Sequence, residues 1–166
     1  MRVTISRVLR VLAIGMVMAA GGACGSSDKA ASPDAGATGN SRFVGTWHPT
    51  SGNITYNCDG VISTDSIVDN LTWAAGVGSD LVQTAGSCVF KANVVSSTAS
   101  ALPSQSCNEQ VGTTNVTLAL EAYTFSLSAD GLTAMESGSG TATYVDSGQT
   151  FKCKTSETAS YTKISQ

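Results

Sequence analysis

The side chains able to do chemistry are few. The 166-residue chain has one histidine, five cysteines, twelve Asp and Glu and nine Lys and Arg. A single His excludes a multi-His metal centre and leaves a Ser-His-Asp triad only one candidate base, His48. His48 lies between Trp47 and Pro49, a context that reads as a strand end at the surface. The run Glu136-Ser137-Gly138-Ser139-Gly140 lacks the leading Gly of a nucleophile elbow and reads as a turn. Neither a Gly-x-Gly-x-x-Gly run nor a P-loop occurs. A glycosidase needs two acids converging across a cleft, but most acids here stand beside turns, where solvated roles are expected. The Asp residues lack the spacing of a calcium loop. No enzyme activity, cofactor or metal is expected.

The remaining chemistry belongs to cysteine. Arg2, Arg7 and Arg10 precede an uncharged apolar run over residues 11–20, too short to cross a bilayer, which needs about 20 residues. Small residues follow, the layout of an export signal. Gly21-Gly22-Ala23-Cys24 resembles a bacterial lipoprotein signal, with Gly21 where that family usually carries Leu. The resemblance implies that residues 1–23 are removed and that Cys24 takes a diacylglycerol and becomes the new N-terminus. Gly25, in place of Asp, implies delivery to the outer membrane by the rule of enteric bacteria. Ordinary secretion, leaving Cys24 a plain thiol, is the alternative. Two or more acyl chains anchor a protein firmly, whereas one binds marginally.

With Cys24 assigned to lipid, Cys58, Cys88, Cys107 and Cys153 form an even set suited to two disulfides in an oxidising compartment. Of three connectivities, Cys88–Cys107 and Cys58–Cys153 are preferred. The first closes the local loop through Ala101-Leu102-Pro103, and the second ties an early strand to a late one.

Residues 24–41 have no aliphatic side chain larger than Ala and read as a flexible tether. At roughly 5–6 Å × √n it would hold a domain some 20–25 Å from the membrane. Removing the signal leaves six cations against twelve acids. The cations are scattered, so nucleic acid is not an expected partner.

Residues 42–166 suffice for one domain. Thr, Val and aromatic residues alternate with short turn signals, which predicts an all-β, antiparallel meander of about eight to ten strands. Asp59-Gly60 and Asp130-Gly131 are the strongest turns. Ser51-Gly52-Asn53 and Ser137-Gly138-Ser139-Gly140 are weaker ones. Ile54, Tyr56 and Cys58 share a face, as do Cys88, Phe90, Ala92 and Val94. Val116, Leu118 and Leu120 are out of phase with Tyr123, Phe125 and Leu127, which requires a bulge near Glu121-Ala122. Such a meander closes as a barrel or folds as a sandwich.

Gly45-Thr46-Trp47 resembles the Gly-x-Trp signature of lipocalin-like barrels. The resemblance implies that Trp47 closes one barrel end under a basic residue of the last strand, here Lys163. It also implies an apolar pocket lined by Tyr56, Trp73, Phe90, Tyr123 and Phe125. The leading expectation is a non-enzymatic, membrane-anchored envelope lipoprotein that serves as a structural or interaction module. The alternative is a lipocalin-like binder or carrier of a small apolar ligand. A hydrolase is a third reading, for which converging carboxylates beside His48 would be the sign. The expected partners are the membrane, through the lipid, and an envelope protein or small apolar ligand.

Overall fold

The computed structural model describes residues 39–85, 88–111, 114–146 and 148–165. The expected signal, Cys24 and most of the expected tether lie outside the described residues. A single 3-10 turn, Gly39–Arg42, leads into ten strands. These are β1 (Gly45–Cys58), β2 (Val61–Ser66), β3 (Leu71–Ala75), β4 (Leu81–Ala85) and β5 (Cys88–Val95). There follow β6 (Thr98–Ala101), β7 (Gln105–Val111), β8 (Thr114–Leu127), β9 (Thr133–Asp146) and β10 (Gln149–Ser165).

All the pairings are antiparallel. Eight strands close a barrel in the order β10-β9-β8-β6-β5-β4-β3-β1, with β1 returning to β10. The two extra strands arise because β1 and β8 outrun their short neighbours. The first residues of β1, Gly45–Trp47, pair with β3, and Asn53–Cys58 pair with β2. In β8, Thr114–Leu120 pair with β7 and Thr98–Ser100 of β6 meet Thr124–Ser126. The molecule therefore has two storeys. The lower one is the closed barrel. The upper one is a trough running β7-β8-β9-β10-β1-β2, with free edges at β2 and β7.

Period-two alternation fixes which side chains enter each storey. The lower interior is filled by Phe43, Trp47, Leu71, Trp73, Leu81, Phe125 and smaller neighbours. Phe125 touches four other rings, with Trp47 edge-on at a centroid distance of 5.1 Å. An eight-stranded barrel is just wide enough for side chains to fill it. A smaller upper cluster holds Tyr56, Cys58, Val116, Ala142, Tyr144 and Cys153. Both expected disulfides are present, Cys58–Cys153 across β1 and β10, and Cys88–Cys107 between β5 and β7. The second ties the free β7 edge to the barrel wall.

Several expected boundaries are corrected. Ser51-Gly52-Asn53 is no turn but lies within β1, just past an irregularity between Pro49 and Ser51. Gly52 is needed there because a Cβ would collide with that of Ala159 on β10. Ser137-Gly138-Ser139-Gly140 lies inside β9. The Ser/Ala/Pro segment expected as a loop contains β6 and β7. The expected bulge is found: the β8–β9 register shifts between Leu120 and Ala122. Asp59-Gly60 turns β1 into β2 with positive φ at both residues (52° and 89°), as a two-residue hairpin requires.

Candidate functional site

Four long strands meet where the two storeys join. The inward face of β9 there reads Ala134, Glu136, Gly138, Gly140, Ala142. That of β10 reads Cys153, Thr155, Glu157, Ala159, Tyr161. Small residues on this face leave room that a regular core would fill. The result is a cavity of about 730 Å³ walled by residues of both clusters.

Glu136 anchors its floor. It is 6% exposed, and each carboxylate oxygen accepts one short bond. The Tyr123 hydroxyl donates to Oε1 and the Tyr161 hydroxyl to Oε2, both at 2.6 Å. Burial raises the Glu136 pKa against the two hydrogen bonds, which favour the charged form. Glu157 lies in register with Gly138, and a Cβ at Gly138 would collide with the Glu157 carboxylate. Glycine is thus what lets Glu157 lie flat across β9. Burial first, and the neighbouring Glu136 second, push Glu157 up to about 7.

The walls carry rings and acceptors. Tyr56, Phe90, Tyr123 and Tyr161 line the cavity, as do Asp65, Asp69 and Glu109. Tyr56 is 4% exposed, and among the described residues no hydrogen bond is made by its hydroxyl. Its pKa is raised by burial, then by Tyr144, Asp65 and Glu157, which puts its hydroxyl in the field of two cavity carboxylates. Among the described residues, no Lys, Arg or His lines the cavity.

The structure divides the expected pocket residues. Tyr56, Phe90 and Tyr123 line the cavity. Trp73 and Phe125 do not: at 1% and 0% exposed, they are packed into the filled lower barrel. Trp47 and Lys163 meet at the other end of that barrel. They are register partners, with the Lys163 ammonium 5.3 Å from the indole centroid. Lys163 also donates to the Arg42 carbonyl (2.8 Å), and Trp47 Nε1 donates to the Phe43 carbonyl (2.9 Å). This end is filled by packed side chains. His48 is exposed on the outer face, 2.9 Å from Asn70 Oδ1, away from the carboxylate pair.

Glu136, Glu157 and Tyr161 are the site residues that sequence reading missed. A signal was there: Glu157 is in phase with Cys153 and Tyr161, and Glu136 with Ala134 and Ala142. Reading Gly138 and Gly140 as a turn broke that phase. Comparison with protein-family models, with curated proteins and with solved structures returns no match in any of the three.

Proposed function

We propose that the domain holds a small organic molecule in this cavity, as a non-enzymatic binding protein that is exported and anchored through Cys24. The carrying observation is the cavity itself. Its volume, about 730 Å³, lies in the range of about 300–1,000 Å³ usual for ligand sites. Its lining joins aromatic and aliphatic side chains to a set of polar groups that includes Glu136 and Glu157. The expectation of a structural or interaction module rested on an acidic, hydroxyl-rich chain with few candidate sites, and the cavity favours the binding alternative.

Native mass spectrometry of the exported protein, before and after solvent extraction, tests the reading. Extra mass that leaves with the solvent is expected. A bare protein that takes up no probe of matching size would overturn it. Anchoring is supported by residues 2–24 and has its own test: Cys24→Ser should move the protein from the membrane to the soluble fraction.

A second reading, hydrolysis, is favoured by the Glu136–Glu157 pair, because two carboxyls that share one site are the groups among which acid and base roles are divided. Turnover of aryl glycosides, abolished in Glu157→Gln, would establish it. Against it, both Glu136 oxygens are already engaged by tyrosines.

A further inference from the structure

We propose that the cavity selects an organic cation, with an ammonium group seated at Glu157 and its apolar body against the surrounding rings. The inference rests on the binding reading and names its ligand class.

Three observations converge. Among the described residues, five carboxyl side chains line the cavity and no cationic side chain does, so the acids of the lining have no matching cation. The two hydroxyls nearest the floor donate to Glu136 and are used up by it. Glu157 makes no hydrogen bond among the described residues, although it lies well inside the cavity. What the site lacks is therefore a donor bearing positive charge. Tyr56 supplies the third, independent observation. It is 4% exposed, lines the cavity, and its hydroxyl has no hydrogen-bond partner among the described residues. Unlike the fully buried Trp73 Nε1 and Tyr144 hydroxyl, which lie outside the cavity lining, the Tyr56 hydroxyl is not shut off from the cavity space, where a ligand can bond it.

The rings favour an organic ion over a metal. Tyr56, Phe90, Tyr123 and Tyr161 offer faces or edges to a bound molecule, and aromatic faces attract ammonium groups when water is excluded. Among the described residues, no three His, Cys, Asp or Glu are placed to hold a metal ion. The space is also far larger than one ion needs.

A pair of isosteric fluorescent probes tests this: 2-(2-naphthyl)ethylamine, a cation at neutral pH, and the neutral 2-(2-naphthyl)ethanol. Both are titrated into the exported full chain and into Glu157→Gln at about pH 8. The buffer holds about 0.15 M salt, which screens exposed charges but not buried ones. The amine is expected to bind about tenfold tighter than the alcohol, a difference of about 1.4 kcal/mol, and Glu157→Gln should erase that preference. Equal or tighter binding of the alcohol overturns the cation inference and leaves the cavity reading standing. An amine preference that survives in Glu157→Gln overturns the seat at Glu157. If neither probe binds at about 1 mM, both readings fall. Near-UV circular dichroism confirms that the variant keeps its packed aromatic core.

Discussion

Glu136 and Glu157 differ in what their oxygens touch, and each difference has a measurable consequence. Glu136 accepts from two tyrosines at once. Tyr161→Phe leaves one buried carboxylate oxygen without its donor, which should cost about 1–3 kcal/mol in urea unfolding. Glu136→Gln should cost at least as much, because an amide turns a donor toward one hydroxyl. Glu157 sets a pH dependence. Both carboxyls titrate above the ordinary 4.5, Glu157 at about 7. Between those values the folded chain binds more protons than the unfolded chain, so stability falls as pH rises through the window and is greatest below it. Unfolding near pH 5 and pH 8 should differ by on the order of 2–3 kcal/mol, and Glu157→Gln should flatten the slope. An equal slope in the variant would place the titration elsewhere. Asp130 works in the opposite sense and at lower pH. Its pKa is lowered by hydrogen bonds from Ser128 and the Leu132 amide, so its contribution fades only in strong acid.

At the scale of elements, the site depends on four strands long enough to serve both storeys. Glycine lets β9 pass between β8 and β10 beside bulky partners. A Cβ at Gly140 would collide with the Ala119 carbonyl, a backbone atom that cannot swing aside. Gly140→Ala should therefore cost about 1–3 kcal/mol, read from its denaturation midpoint. Gly138→Ala meets only the end of the flexible Glu157 side chain. It should cost less stability and act mainly on binding, by displacing that carboxylate. The same glycines explain why sequence reading cut β9 in two. Glycine between polar residues signals a turn equally well as a close cross-strand approach, and only the neighbour's identity separates the two. The bulge in β8 was legible because its evidence was local: two apolar triplets in opposite phase cannot belong to one regular strand.

For the whole molecule, the disulfides act in two ways: Cys58–Cys153 reinforces register partners of the β1–β10 ladder, and Cys88–Cys107 joins β5 to β7, which share no ladder. Cys58–Cys153 spans 95 residues and Cys88–Cys107 spans 19. Restriction of the unfolded chain predicts losses of about 4–5 and about 3 kcal/mol on replacing each pair with Ala. The two should also differ in place. Without Cys88–Cys107, β7 is held by β8 alone among its strand pairings, so amide exchange should quicken over Gln105–Val111 while β9 and β10 stay protected. Period-two phase and cysteine count, both properties of the chain read locally, were enough to point to an all-β meander, its strongest turns, the bulge and two disulfides, while the choice among three connectivities stayed a preference until the structure paired Cys58 with Cys153 and Cys88 with Cys107. Barrel closure, the two storeys and the cavity came only from tertiary structure. They depend on which strands outrun their neighbours and on which glycine faces which glutamate, and such pairings between distant residues leave no local pattern.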